Sequence, residues 1–387
     1  MLDLQAPLFD SAPAILTPEF WRGCFNTRES SIQQLAPYVG KLKSGMARAL
    51  IQAYTREGDT VLDPFCGSGV VPFEALSLRR NAIGNDLNPY AFVLTMAKCT
   101  APKTAHEAIA KAEKCLSESQ RFVPRVDLRL IPIWVRRFFH PRTLKETVAL
   151  FRVLRTQNEY FLLGCLLGIL HHVRPGFLSY PSSHLVPYLR VKKYPRRDYP
   201  EMYRYRDLRS RLLAKVARAY KRHEPIDSSL RWKVLQENAM CLPLPDESVD
   251  AVVSSPPYYG ALDYGRDNRL RLWFLGVKDY RVLERCLTSD DAVYLPQMSR
   301  AVDDICRVVK TDGRIILVLG DYRRNGANHD SAGAVLKIAQ RNFPDSLVLE
   351  NLIIDPIPDE RRTRRLTRTT LHETIIVLRK VQPYSIS

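Results

Sequence analysis

Seven short runs along the chain are rich in apolar, often β-branched residues and end at a charged or turn-forming position. They are TVLDPF (60–65), AIGNDL (82–87), KVLQENA (233–239), DAVVSS (250–255), RIILVLGD (314–321), SLVLENLII (346–354) and ETIIVLRK (373–380). Helical spacing fills most of the intervals. Near-continuous apolar strands alternating with helices predict an α/β fold with a mostly parallel sheet covered on both faces. The last two runs are joined without a helical pattern, so they suit an antiparallel hairpin at the end of the sheet. Segments 101–160 and 160–224 carry helical patterns and hardly any strand pattern. They predict a mainly helical insertion, 101–230, between two parts of one α/β domain, 36–100 and 231–387, with residues 1–35 as an N-terminal arm. The greasiest run, Tyr160–Leu170, is too short to span a bilayer and reads as a buried helix.

Charge adds a partner to this picture. The chain of 387 residues carries a formal +17 with a pI near 9.6, which points to a polyanion. Between Thr100 and Leu230 there are 26 Lys and Arg against 11 Asp and Glu, so the insertion holds +15 of the total. Its densest part, RVKKYPRRDYPEMYRYRDLRSRLLAKVARAYKRH, interleaves basic residues with Tyr194, Tyr199, Tyr203 and Tyr205. Cations neutralise phosphates and tyrosine rings stack on bases, so Lys192, Lys193, Arg196, Arg197, Arg204 and Arg206 are candidate DNA contacts. The alternative is a solvated helix face over part of this stretch. A second basic run, Arg361–Thr370, resembles a loop at the rim of the sheet.

Eight scattered cysteines have no CxxC spacing and no histidine pattern around them, which argues against a structural metal and for a reducing interior. The first residues lack a basic head and an apolar signal core, so the expected location is cytoplasmic, at the nucleoid.

Candidate chemistry sits at two strand ends. In VLDPFCGSG, Gly67 and Gly69 permit a tight turn into a helix starting near Val70, whose unpaired amides would face a ligand. Asp86 ends the next strand, where an acid accepts both hydroxyls of a ribose. Asp63 beside the turn would repel a pyrophosphate. A cationic nucleoside bearing an amino acid, such as S-adenosylmethionine, fits better. In VVSSPPYYGALDYG (252–265), Pro256 and Pro257 stop the strand and leave Tyr258 and Tyr259 beyond its carboxyl end.

VLDPFCGSG together with SSPPYYGALDYGRDNRLRLWFLG resembles the exocyclic-amine DNA methyltransferases, whose signatures are DPFxGSG and (D/N/S)PP(Y/F). YVGKLKSGMARALIQAY resembles the helix before their cofactor loop, NAMCLPLPDESVDAVV the approach to their catalytic strand, and ICRVVKTDGRIILVLGD the strand after it. The likeness covers roughly 36–100 and 231–380. It implies a Rossmann-like class I methyltransferase sheet of seven strands with an antiparallel last hairpin, and S-adenosylmethionine as cofactor. It places Lys41, Asp63, Pro64, Phe65, Cys66, Gly67, Ser68, Gly69, Asp86, Leu87, Asn88, Asn238 and Ala239 around the cofactor, with Asp86 on the ribose, Leu87 and Ala239 beside the adenine and Cys66 packed beneath. Ser255, Pro256, Pro257 and Tyr258 would hold the target amine of a flipped base in double-stranded DNA. Serine at the first position of that corner favours cytosine N4 over adenine N6. An RNA base methyltransferase and a non-catalytic binder that keeps the cofactor fold are the alternatives. An independently acting restriction endonuclease is a possible partner, and neither a metal nor a membrane is expected.

Overall fold

In the computed structural model the described residues are 16–21, 29–38, 40–171, 177–180, 195–223, 225–257, 264–285, 291–324, 327–356 and 372–382. Seven strands form one sheet: β1 Thr60–Asp63, β2 Asn81–Asn85, β3 Trp232–Leu235, β4 Val249–Ser254, β5 Val309–Gly320, β8 Leu347–Pro356 and β9 His372–Lys380. Their order is β3-β2-β1-β4-β5-β9-β8. From β3 to β5 all neighbours run parallel, and β9 lies antiparallel between β5 and β8. The fold is the Rossmann-like sheet expected from the sequence, including the closing hairpin. Chain order reverses between β1 and β4, and such a switch point leaves a crevice at the carboxyl ends of the strands.

Strand limits differ from the apolar runs where side chains take over the pairing. β3 stops at Leu235 and not near 239. Beyond it the Asn85 side chain accepts from the Glu237 amide at 3.0 Å and donates to its carbonyl at 3.0 Å, replacing ladder bonds. A two-stranded antiparallel ribbon, β6 Tyr322–Arg324 with β7 Ala327–His329, has no counterpart in the sequence reading.

The sheet divides its apolar residues by the period of two. One face, with Val61, Ala251, Val253, Ile316, Val318, Ile375 and Val377, packs on α1 Ser44–Tyr54 and α2 Val70–Ser77. The other, with Leu62, Val252, Ile315, Leu317 and Ile376, packs on α11 Asp291–Val308 and α12 Ser331–Asn342. α3 Pro89–Cys99 follows β2.

The insertion supplies α4 Ala105–Gln120, α5 Ile133–Arg136, α6 Pro141–Thr156, α7 Tyr160–Ile169 and α8 Leu208–Ala219, and its described residues contain no strand. α7 is the greasy run, buried from Phe161 to Ile169. These helices share one apolar core with α3, with Phe73 of α2, and with α9 Tyr264–Phe274, which follows the proline corner in the chain. α10 Arg281–Arg285 comes next in the chain. No helix among the described residues is long and apolar enough to cross a membrane.

Two parts of the first 35 residues are built into this frame. Trp21 is 2% exposed, packs with Met46, Leu50 and Ile353, and donates from Nε1 to Asp355 Oδ2 at 2.9 Å. Asp355 also binds Lys43 Nζ at 2.9 Å, so its buried charge is compensated twice. The turn Ser31–Gln34 brings Ile32 and Leu35 into the helical core. Trp21→Ala should therefore cost about 3–5 kcal/mol in urea unfolding, the usual cost of emptying a large aromatic site. Trp21→Phe should cost about 1 kcal/mol, because Lys43 still partners Asp355. Equal and negligible costs would show that this segment merely lies on the surface.

Candidate functional site

β1 ends at Asp63, and the chain turns through Pro64–Ser68 before Gly69 opens α2. Gly67 and Gly69 take the left-handed conformation, with φ of 48° and 72°. A Cβ on Gly69 would also lie 2.6 Å from Thr95 Oγ1 of α3, so the turn requires glycine there on two counts. Asp86, just past β2, fastens this loop: its carboxylate accepts from the Gly67 amide at 2.9 Å and from the Asn88 amide at 2.9 Å. Asn88 in turn caps α3, accepting from the Tyr90 amide at 2.9 Å.

Asp63 lies behind the loop, 3% exposed, and accepts from the Ser254 hydroxyl at 2.6 Å and the Phe65 amide at 3.2 Å. Burial pushes its carboxyl up to about 7, against the two hydrogen bonds. Burial likewise raises Asp86 to about 6, opposed by its two amide donors. Cys66 is buried with Sγ 3.3 Å from Thr95 Oγ1. Burial, then the neighbouring Asp86 and Asp63, push its thiol well above the ordinary range, so it is no thiolate nucleophile.

A cleft, partly open to solvent, runs along these strand ends. Pro64, Phe65, Gly67, Asp86, Leu87, Asn88, Asn238, Ala239, Ser255 and Pro257 all line it. The two signature segments, about 190 residues apart in sequence, thus face one space, because β1 and β4 are neighbours in the sheet. Pro256 is buried beside it. Asn238 stiffens its own turn by accepting from the Met240 amide at 3.0 Å.

Other expected site residues stand apart from the cleft wall. Asp63, Cys66, Ser68 and Gly69 support the loop from beneath. Lys41 Nζ binds the Gln33 carbonyl at 2.6 Å and Glu29 at 3.1 Å, while its neighbour Gly40 takes the lining position. Arg196, Arg197 and Arg204 are exposed, with Arg204 paired to Glu201. Arg206 is half-buried and its Nε has no hydrogen-bond partner among the described residues. Tyr258, Lys192, Lys193 and the basic run 361–370 lie outside the described residues.

Tyr38, Glu237, Met240, Tyr294, Gln297 and Met298 also line the cleft; the first three lie in segments quoted from the sequence without being singled out, and no sequence signal marked the last three. Tyr294, on α11, donates its hydroxyl to the Pro257 carbonyl at 3.0 Å and so braces the proline corner from the opposite side.

A nucleoside bearing an amino acid fits these walls. Leu87 and Ala239 offer apolar surface for a base, and Asp86 is a carboxylate with unused lone pairs for a ribose. Ser68 Oγ, buried beneath the loop near the helix start, has no hydrogen-bond partner among the described residues.

Comparison with known proteins gives matches of the same kind. A DNA methylase family model, that of the N6 and N4 enzymes, matches residues 19–97 and so extends into the first 35 residues. The type II methyltransferase M.BsoBI of Geobacillus stearothermophilus is 25% identical over 302 residues, covering 66% of this chain and 55% of that protein. The type II methyltransferase M.SfiI of Streptomyces fimbriatus is 36% identical over 78 residues, covering 20% of this chain and 15% of that one. The chain therefore spans about half the length of the first relative and less of the second. Among solved structures, TrmN from Thermus thermophilus is 13% identical with a TM-score of 0.36, covering 90% of this chain and 52% of that one.

The raised carboxyl of Asp63 generates a pH test. A folded-state value above the ordinary 3.8 means that its stability contribution is full below that value and is lost as pH rises through about 7. Relative to Asp63→Asn, the wild type should therefore lose melting temperature steadily over that window. A gap between the two curves that stays constant with pH would show that Asp63 is not held at a raised value.

Proposed function

We propose that this chain, whose sequence matches support the exocyclic-amine DNA methyltransferase family, methylates the amine of a flipped base in duplex DNA, with cytosine N4 as the preferred target. One observation carries the reading: the corner Ser255–Pro257 and the loop tied down by Asp86 line the same cleft. S-adenosylmethionine would supply a methyl on a sulfonium carbon, open to direct displacement by an amine.

The residues of the chain account for the rest. Asp86 orients the ribose and Leu87 and Ala239 hold the adenine between them. The Ser255 hydroxyl and the Pro256 carbonyl accept the hydrogens of the target amine, drawing its lone pair out of conjugation and aiming it into the cleft. Such positioning accounts for most of the rate in a bimolecular displacement. Tyr258, the next residue of the signature, would stack on the extruded ring. Ser255 can also donate to the ring nitrogen beside a cytosine amine, which is why cytosine is preferred. The helical segment 101–230, with its net positive charge, is the proposed target-recognition region. The two curated relatives are named type II methyltransferases, and a cytoplasmic restriction–modification role beside a separate nuclease belongs to the same proposal.

The test is product analysis. The purified chain, incubated with methyl-labelled cofactor and duplex DNA of mixed sequence, should yield N4-methylcytosine by nucleoside mass spectrometry. Ser255→Ala should lower turnover about 10–100-fold while duplex affinity changes less than about twofold, since the contact acts on the transition state. N6-methyladenine as sole product would keep the enzyme class and remove Ser255 as base discriminator. Label in RNA alone would overturn the DNA reading.

A further inference from the structure

A second cleft lies between the turn Ser31–Gln34 and the C-terminal end of α8, and it shares no lining residue with the first. Lys215, Arg218, Lys221 and Arg222 contribute four cationic side chains to its wall, Ser31 and Gln34 are its polar members, and no carboxylate among the described residues lines it. Its walls are clamped together. The Ser31 amide donates to the Arg222 carbonyl at 3.0 Å, the Arg222 amide donates to Ser31 Oγ at 2.8 Å, and Lys215 Nζ donates to the Gln34 carbonyl at 2.9 Å. Glu29, which reaches Gln34 from outside, is already engaged by Lys41.

Concentrating this much positive charge is unfavourable without an anion. Burial lowers the Lys215 ammonium below its ordinary value, and Arg218 lowers it further. Cations near a helix C-terminus do complement its dipole, but that effect fades within the last turn. It covers Arg218 and leaves Lys221, past the end of α8, unexplained.

We propose that this cleft binds a phosphate group, and that in the working enzyme the group belongs to the backbone of the duplex held for methylation. The identity of the duplex rests on the function proposed above; the chemistry of the cleft does not. Guanidinium groups grip phosphate oxygens bidentately and the ammonium groups add point charges. The Ser31 hydroxyl, which accepts from the chain, keeps its own hydrogen to donate. α8, with 12 residues, is about 18 Å long and separates this cleft from Arg204 and Arg206 at its other end. A DNA strand covers that distance in about five nucleotides, so both ends of one rigid helix can meet the same backbone.

The experiment compares the full chain with the double variant Arg218→Gln, Lys221→Gln, both exposed positions. Duplex binding is followed by fluorescence anisotropy against salt, and thermal stability against inorganic phosphate. The variant should bind duplex several-fold more weakly, with a salt slope smaller by about one, the value of one lost phosphate contact. Its cofactor affinity and its melting temperature in phosphate-free buffer should match the wild type. Unchanged duplex affinity and slope, with a wild type that does bind, would overturn the proposal. If the wild type binds no duplex, the DNA reading fails by itself. A phosphate-dependent rise in melting temperature seen in the wild type and absent from the variant would then assign the cleft to a free phosphoryl ligand, and no such rise would refute the site altogether.

Discussion

A hydroxyl and a carboxyl hold the tips of β1 and β4 together: Ser254 donates to Asp63 at 2.6 Å, with both residues buried. Everything proposed for this chain needs those two tips in register. β1 leads into the glycine turn, β4 leads into the proline corner, and a methyl can pass between them only if both ends address one cleft. The tie is expensive, because a carboxyl placed at that depth is driven toward its protonated form. Phe65's amide and Ser254's hydroxyl offset part of the cost, and in the same act fix the loop and the strand end.

Asp86 repeats the device one strand over, binding the amides of Gly67 and Asn88. The two acids therefore divide the work. Asp63 faces inward and is consumed by the scaffold, while Asp86 faces the cleft with acceptor capacity left. Around them the braces come from distant parts of the chain: Tyr294 on the Pro257 carbonyl, Tyr90 through its hydroxyl on the Pro37 carbonyl at 2.9 Å, and the helical core against α3. A buried polar set around Gln33 does similar work behind α2. Lys98 Nζ donates to Gln33 Oε1 at 2.5 Å, and Gln33 donates to Glu74 at 2.8 Å.

Much of the fold was legible in the sequence because a doubly covered parallel sheet writes itself as apolar runs. All seven strands appeared as such runs, and the want of a crossover helix before β9 announced the hairpin. The glycine turn and Asp86 were legible because their chemistry is local: a left-handed turn needs glycine, and a strand tip displays its acid. Long-range pairing was not legible. No spacing reveals that Asp63 would turn to Ser254 instead of the cleft, or that Lys41 would be taken up by Gln33 and Glu29. Trp21 carried no periodic signal, since its partners Asp355 and Ile353 lie more than 300 residues away. The lining supplied by Tyr294, Gln297 and Met298 was hidden for the same reason. α11 reads as an ordinary amphipathic helix until its place beside the corner is known.

The central claim is that one cleft holds the cofactor's nucleoside on Asp86 and presents its methyl to the Ser255–Pro257 corner. A crystal structure of the chain with S-adenosylmethionine tests it directly. The account predicts ribose hydroxyls within about 3.2 Å of the Asp86 carboxylate, the adenine between Leu87 and Ala239, and the sulfonium methyl turned toward Ser255. A cofactor bound elsewhere, or lying in the cleft with its ribose turned away from Asp86, would contradict it.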